Sequence, residues 1–186
     1  DDFENTVAGT AANGLAQDLA YPQRVYAFGF LRDGVNVRNF FTSDNYGASW
    51  TKSTSTVTTA NAWLSMHALG DGSGAASNYV YAGVTAGSGN GGLYRSTNAG
   101  SSFTKVSTST IGDVSVNAIT NNKNDLAYAY AGLPDGLYYS ANADHATNGT
   151  VAFYKYWPSA GSSNVTKVIV DPRFTATEHD SKYIFW

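Results

Sequence analysis

Aspartates that precede glycine are the residues of this sequence whose type could support catalysis. Asp33 and Asp135 are each followed by glycine and lie between short apolar and aromatic runs. Two carboxylates can cleave a glycosidic bond when they stand roughly 5 Å or 6.5–9.5 Å apart, one acting as the acid and the other as nucleophile or base. We therefore name Asp33 and Asp135 as candidate catalytic residues. Asp-Gly is also a common turn dipeptide, so a structural role is the alternative for both.

Aromatic side chains supply a second candidate chemistry, which is stacking on the flat faces of sugar rings. Trp157, Tyr156 and Phe30 lie in or beside predicted loops, and we predict that they bind carbohydrate. Packing between strands is the alternative, above all for a tyrosine within a strand. Trp157 precedes a proline in a predicted loop and is the stronger of the candidates.

Metal and cofactor patterns are missing from the sequence. It has no cysteine, and His67, His145 and His179 are scattered, without the spacing of metal ligands. We expect His67 to be a hydrogen-bonded polar residue of the core. The glycine-rich residues 87–92 lack a lysine and precede a predicted strand, which excludes a phosphate-binding loop and predicts a flexible hairpin. We therefore predict no metal site and no cofactor.

Composition excludes several classes of partner. The 186 residues carry a net charge of -3, and only 13% of them are charged, so no basic field for nucleic acid and no basic patch for a membrane surface is present. No apolar run approaches the roughly 20 residues that span a bilayer. Tyrosine, glycine, serine and threonine are abundant, which favours an all-β protein with short strands and an extracellular location.

An internal repeat predicts the elements that hold the candidate residues. Residues 43–52 and 96–105 both read Ser-x-Asn-x-Gly-x-Ser-aromatic-Thr-Lys, and a third, altered copy starts at Ser140. Each copy predicts a strand, a tight turn and a second strand. We expect Trp50 and Phe103, the aromatic residues of the first two copies, to be buried in the core.

The spacing of the copies predicts the fold. They recur at the period of roughly 40–50 residues that is typical of a four-stranded propeller blade. We predict an all-β fold, a β-propeller of four-stranded blades, with about three and a half blades in a single partial domain. The approximate blades are residues 7–56, 57–109 and 110–162, with a half-blade at 163–186. Their second strands match one another, with Tyr26 aligned to Tyr81 and Tyr128.

The repeat resembles a known family. Its pattern is similar to the Asp-box, or BNR, hairpin of sialidases, sortilin-type receptors and xyloglucanase-type glycoside hydrolases, which reads Ser-x-Asp-x-Gly-x-Thr-Trp. Asn45 and Asn98 stand where that family usually has aspartate. Residues 168–173 resemble the end of an inner strand in xyloglucanase-type blades. The resemblance implies a β-propeller and, for such enzymes, an acid and a base on separate propellers, so this chain would hold at most one of the two.

Two functions fit these observations. One is a segment of a secreted Asp-box propeller that acts on or binds polysaccharide, as a xyloglucanase-like or endoglucanase-like glycoside hydrolase does. The alternative is a non-catalytic extracellular scaffold or binding module that self-assembles through its open half-blade. Three and a half blades cannot close a ring and leave strand edges unpaired. The predicted partners are therefore a polysaccharide or glycan together with the rest of a longer chain or another copy in a homo-oligomer.

Overall fold

The computed structural model describes residues 3–4, 15–31, 38–55, 63–68, 78–87, 89–106, 111–123, 125–146, 150–171 and 184–185. These residues form fifteen β-strands and no α-helix. β-branched and aromatic residues fill the strands, while Gly, Asn, Asp and Ser fill the turns, in line with the preferences of those residue types. The predicted all-β class is confirmed.

The strands form four antiparallel sheets that follow one another along the chain. Sheet 1 contains β1 (Phe3–Glu4), β2 (Leu15–Gln17), β3 (Val25–Leu31), β4 (Arg38–Ser43) and β5 (Thr51–Lys52). Sheet 2 contains β6 (Trp63–Ala68), β7 (Val80–Val84), β8 (Gly92–Ser96) and β9 (Thr104–Lys105). Sheet 3 contains β10 (Ala118–Asn122), β11 (Asp125–Leu133), β12 (Gly136–Ser140) and β13 (Tyr154–Trp157). Sheet 4 contains β14 (Ile169–Val170) and β15 (Ile184–Phe185).

Within sheets 2 and 3 the strands pair in chain order, and sheet 1 repeats this pattern with β1 added beside β2 on the edge of β3. The first strands of the sheets, β2, β6, β10 and β14, contact one another in that sequence. The sheets therefore radiate from a shared axis, as the blades of a β-propeller do. The four-stranded antiparallel blade is confirmed, whereas the exact blade boundaries stay a prediction.

The core consists of the spaces between neighbouring sheets. Side chains of a strand alternate between its two faces, so that one side of β7 packs on sheet 1 and the other side on sheet 3. Val80 and Ala82 belong to one cluster with Tyr26 and Phe28 of sheet 1. Tyr81, between them in sequence, belongs to the cluster shared with sheet 3. Sheets 2 and 3 are thus layers that each contribute to two cores.

The register of β11 differs from the sequence alignment. Tyr130 pairs with Tyr139 just as Tyr81 pairs with Arg95, and both partners immediately precede the serine of a turn. Tyr130, not Tyr128, is therefore the residue equivalent to Tyr81. The shift of two residues leaves the same side chains facing each core, because the period of a strand is two.

Burial of the two repeat aromatics also differs from expectation. Phe103 is buried, as predicted, because its ring packs on Phe40 of the preceding sheet with 4.2 Å between ring centroids. Trp50 is only half-buried. It belongs to sheet 1, and no sheet of the described residues precedes that one, so the prediction that Trp50 lies in the core is wrong.

Candidate functional site

The outer edge of sheet 3 exposes a row of aromatic side chains. Tyr154 is 56% exposed, Tyr156 36% and Trp157 37%. The ring of Tyr139 on the neighbouring strand lies 6.2 Å from the ring of Tyr154 and 5.9 Å from that of Tyr156. The corresponding strands β5 and β9 contain only Thr-Lys. The row is therefore a feature of sheet 3 and not a requirement of the repeat.

Asp135 lies in the turn between β11 and β12, at the end of sheet 3 that also holds Trp157. Its Oδ2 atom accepts a hydrogen bond of 2.8 Å from the hydroxyl of Tyr138 and lies 3.3 Å from the ammonium group of Lys155. Burial, and then the bond to Asp135, raises the pKa of Tyr138 to about 12. Lys155 also donates to the carbonyl of Gly161 at 3.0 Å. These contacts tie the turn to β13 and fix the position of the carboxylate.

The candidates from the sequence are partly brought together. Asp135, Tyr156 and Trp157 share one corner of sheet 3, where Trp157 pairs with Leu137 next to the turn that holds Asp135. Phe30 belongs to β3 of sheet 1, where its backbone pairs with Arg38 and Glu4 and its side chain is not among the described parts. Asp33 lies outside the described residues. Catalysis and sugar binding by these residues stay predictions.

Tyr154 is the residue that the sequence analysis missed. The equivalent threonines, Thr51 and Thr104, are exposed although a neighbouring sheet follows theirs. Tyr154 therefore occupies a position that remains accessible when the face of a sheet is covered. The sequence Tyr-Lys-Tyr-Trp at residues 154–157 could have identified Tyr154, since the corresponding segments of the other two copies lack such a group of three aromatic residues.

The glycine-rich loop between β7 and β8 lies on the same face of the molecule and is held in place. Both oxygens of the Asp113 carboxylate accept backbone N–H bonds, from Gly87 at 2.9 Å, Gly89 at 2.8 Å and Gly91 at 2.7 Å. Hydrogen bonds from Gly87 and Gly89, more than the other contacts, hold the pKa of Asp113 below its ordinary value. The predicted hairpin is confirmed by the pairing of β7 with β8, and one carboxylate satisfies three donors of its loop.

The three repeat turns lie on the opposite face, and each has the same pattern of hydrogen bonds. In each, a serine hydroxyl donates to the Oδ1 atom of the asparagine two residues later, and that oxygen also accepts a backbone N–H from the far side of the turn. The serine–asparagine pairs are Ser43 with Asn45, Ser96 with Asn98, and Ser140 with Asn142. The backbone N–H groups that donate to these oxygens belong to Ser49, Ser102 and Ala152, respectively. The altered third copy therefore keeps the turn geometry of the first two.

The third turn also fills the junction with the sheet before it. The ring of Phe153 packs edge-on against Tyr81, with 6.0 Å between centroids, and the hydroxyl of Tyr81 donates to the carbonyl of Ala143 at 2.6 Å. Burial raises the pKa of Tyr81 well above its ordinary range. The side chain of Arg95 lies over the ring of Tyr79, 4.4 Å from its centroid, and donates to the carbonyl of His145.

The junction between sheets 1 and 2 contains a groove of about 240 Å³ instead. Arg24, Thr42 and Thr51 line it on one side, and Gly100 and Ser101 of the second turn line the other. Arg24 forms an ion pair with Asp44 at 2.5 Å, which closes one end of the groove. Thr42 and Arg95 are equivalent, since each directly precedes the serine of its turn. The groove at the first junction therefore corresponds to the space that the side chain of Arg95 fills at the second junction.

A smaller cavity of about 180 Å³ lies near the axis, between the ends of the inner strands. His67 of sheet 2 contacts Asn121 of sheet 3 there, and the backbone N–H of Asn121 donates to the Nε2 atom of His67 at 3.2 Å. Burial lowers the pKa of His67. His67 is thus hydrogen-bonded, as expected, but it is half-buried at this cavity and not part of the core. Across the described parts of the chain, no three His, Asp or Glu side chains are grouped so that they could hold a metal ion.

No protein-family model matches the sequence, and no curated protein matches it. Solved structures with a similar fold include an ancestral GH74 enzyme at 16% identity and a TM-score of 0.58, and the GH74 xyloglucanase from Xanthomonas campestris at 18% identity and 0.58. YCF48 from Cyanidioschyzon merolae matches at 15% identity and 0.54. These alignments cover 91%, 87% and 89% of this chain and 22%, 25% and 47% of those chains.

The similarity confirms the predicted fold. The described sheets are blades of a partial β-propeller that resembles the propellers of xyloglucanase-type enzymes, and the chain spans about a quarter of the length of the two GH74 structures. None of the described residues belongs to a helix that is long and apolar enough to cross a membrane.

Proposed function

We propose that this chain is a segment of a secreted Asp-box propeller that binds polysaccharide along the outer edge of sheet 3. The observation that carries the proposal is the exposed row of Tyr154, Tyr156 and Trp157. Aromatic rings in such a row offer apolar faces to successive sugar rings. A β-glucan of the xyloglucan type is the substrate class, which follows from the names of the GH74 neighbours.

Three features support a ligand and not only packing. The equivalent strands of sheets 1 and 2 lack aromatic residues. Tyr154 lies at a position that is exposed in all three sheets, so a further blade would leave it accessible. The carboxylate of Asp135 and the ammonium of Lys155 lie at the same end of sheet 3 as Trp157 and could bond to sugar hydroxyls.

Affinity electrophoresis in gels that contain xyloglucan tests the proposal. We expect Tyr154→Ala and Trp157→Ala each to weaken binding by roughly three- to tenfold, because each removes one stacking contact. The matched control is Tyr46→Ala on the opposite face, where the side chain is 73% exposed. Alanine already occupies the equivalent position in the second turn, at Ala99, with a similar backbone φ of 54° against 58°. Equal mobility of all three variants contradicts the proposal.

Catalysis by Asp135 is a separate part of the proposal. As in the enzymes that this chain resembles, Asp135 would be one of two carboxylates, and the other would belong to a second propeller. Release of reducing ends from xyloglucan by the full-length protein, with Asp135→Asn as the variant, is the measurement. Loss of hydrolysis with binding retained supports a catalytic role, and unchanged hydrolysis limits Asp135 to holding its turn.

A specific observation favours assembly as a second candidate function. Thr42 in sheet 1 and Arg95 in sheet 2 occupy the position equivalent to Tyr139. Each of them contacts the turn of the following sheet. Sheet 4 has two strands in the described part of the chain, and no described turn covers Tyr139. Light scattering of the purified chain tests assembly. A dimer or polymer that Tyr139→Arg dissociates supports this candidate, and a monomer at all concentrations contradicts it.

A further inference from the structure

The loop between β7 and β8 contains the dipeptide Asn90-Gly91, whose chemistry is distinctive. The backbone nitrogen that follows an asparagine can attack the side-chain amide carbon, and glycine in the second position makes this reaction fastest because it has no side chain in the way. The N–C bond forms as ammonia leaves, and water then opens the succinimide ring to aspartate or isoaspartate. No other reactant is needed.

Glycine is required at position 91 by close packing. A Cβ atom there would lie 2.5 Å from the Cα of Ala86 and 2.5 Å from the Oδ1 of Asp113, and both distances are too short for any side chain. Replacement of Gly91 by a larger residue is therefore not a route to a stable loop. The fold therefore requires glycine after Asn90, and this glycine makes the dipeptide reactive.

The atoms that must move in this reaction are held by hydrogen bonds. The backbone nitrogen of Gly91 is the nucleophile, and its N–H donates a hydrogen bond of 2.7 Å to Oδ1 of Asp113. The carbonyl of Asn90 accepts a bond of 2.9 Å from the hydroxyl of Tyr94, and the N–H of Asn90 donates to the carbonyl of Gly87 at 3.1 Å. A carboxylate that accepts this N–H opposes its deprotonation, which is the first step of ring closure.

We propose that Asn90 is a latent deamidation site that the carboxylate of Asp113 keeps unreactive. Release of the loop from Asp113 exposes the nitrogen of Gly91 and permits succinimide formation. The product carries a new carboxylate at residue 90 close to that of Asp113, and in its isoaspartate form the backbone is longer by one carbon. Either change opposes re-formation of the hydrogen bonds between the loop and Asp113, so the modification would keep the loop released.

Peptide mapping by mass spectrometry after incubation of the folded protein at mildly alkaline pH tests the proposal. We expect deamidation of Asn90 to be about tenfold faster or more in Asp113→Ala than in the unchanged protein, since a hydrogen bond to a charged group is lost. Asp113→Asn, which keeps the size of the side chain, should give an intermediate rate. Asp135→Ala is the matched control, because it removes a carboxylate from another loop of the same face.

Two internal standards make the result decisive. The sequence contains the further pairs Asn13-Gly14 and Asn148-Gly149, whose rates report the same sample and should not respond to Asp113. A selective increase at Asn90 supports the proposal. Equal rates at Asn90 with and without Asp113, or an equal increase at all three pairs, overturns it, since the second result would indicate general unfolding. If Asp113→Ala does not fold, the rate in Asp113→Asn decides by the same criterion.

Discussion

The junction of sheets 1 and 2 and the junction of sheets 2 and 3 are built from the same repeat but are packed differently. At the junction of sheets 2 and 3, the buried side chain of Arg95 fills the space between Tyr79 and the third turn. At the junction of sheets 1 and 2, Thr42 occupies the equivalent position and leaves a groove beside Arg24. The repeat thus fixes the backbone of a blade, while single side chains decide whether the space between blades is filled.

The two junctions also seat their turns by different contacts. The second turn approaches sheet 1 through Gly100, and Ser101 accepts bonds from Ser53 and Thr54 at 3.1 Å each. The third turn has an insertion and approaches sheet 2 through Ala143 and His145. The turn is therefore attached to the preceding sheet by hydroxyl groups and a closely packed glycine at the first junction. At the second junction it is attached through an arginine and backbone carbonyls.

Removal of Arg95 is the strongest test of this difference. Arg95→Ala should lower the free energy of unfolding by about 3 kcal/mol or more, because it leaves a cavity and removes the donor to His145. The control is Thr42→Ala, for which we expect a loss of about 0.5 kcal/mol at an already open position. Urea denaturation followed by tyrosine and tryptophan fluorescence is the measurement. Equal losses for the two variants would mean that the junctions are energetically alike.

The glycines of the first two turns should differ next. A Cβ atom at Gly100 would lie 2.7 Å from Phe40 and 2.7 Å from the hydroxyl of Thr42, whereas at Gly47 the nearest contact is Trp50 at 3.4 Å. Both have positive φ, so each substitution carries a backbone cost of about 1–2 kcal/mol. We expect Gly100→Ala to cost about 2 kcal/mol more than Gly47→Ala because of overpacking. Thermal unfolding compares the two, and a smaller loss for Gly100→Ala contradicts the close approach of the second turn.

Asparagine-to-aspartate substitutions distinguish the third turn from the others. The Nδ2 atoms of Asn45 and Asn98 donate to the hydroxyls of Ser49 and Ser102, which can reverse and donate to a carboxylate. Asn142 donates instead to the carbonyl of Thr150, which can only accept. Asn142→Asp should therefore cost about 1–2 kcal/mol, and the other two substitutions should be nearly neutral.

Chemical denaturation at neutral pH measures all three variants. Asn98→Asp is the best-matched control, because the second turn also packs on a preceding sheet. A neutral Asn142→Asp would show that Thr150 turns away to relieve the repulsion.

The smallest expected effect concerns Asp113 and the glycine-rich loop between β7 and β8. Because the pKa of Asp113 is lowered in the folded state, its contribution to stability is complete above the ordinary value of about 3.9 and is lost as the pH falls through the lower folded pKa. The amide proton shifts of Gly87, Gly89 and Gly91 should titrate together below about pH 3.9. Asp113→Asn should abolish this titration, and a midpoint above that pH would contradict the three hydrogen bonds.

Much of the fold could be predicted from the sequence, because the repeat is local. The turns follow the Ser-x-Asn pattern, in which side chain and backbone atoms bond within a few residues. The register of β11 could not be predicted, since Tyr128 and Tyr130 both fit a strand pattern. Only pairing with Tyr139, next to the serine of the third turn, selects Tyr130.

The candidate site was predictable in part. Exposed aromatic residues at the end of sheet 3 follow from the sequence of β13, and the turn that holds Asp135 follows from its glycine. The contacts of Asp135 with Tyr138 and Lys155, and the hydrogen bonds of the glycine-rich loop to Asp113, could not be predicted. In the second case the partner, Asp113, is more than twenty residues away along the chain, and no local pattern connects them.

The sequence alone determined the class, the repeat and the turns of this protein, because strand periodicity and turn hydrogen bonds act over short distances. The tertiary structure decided which side chains lie between blades: Arg95 fills one junction and Thr42 leaves another open. It also left Trp50 half-buried although Phe103, its counterpart in the next repeat, is buried. Burial depends on whether a neighbouring sheet is present, and that is a property of the assembled layers and not of any single repeat.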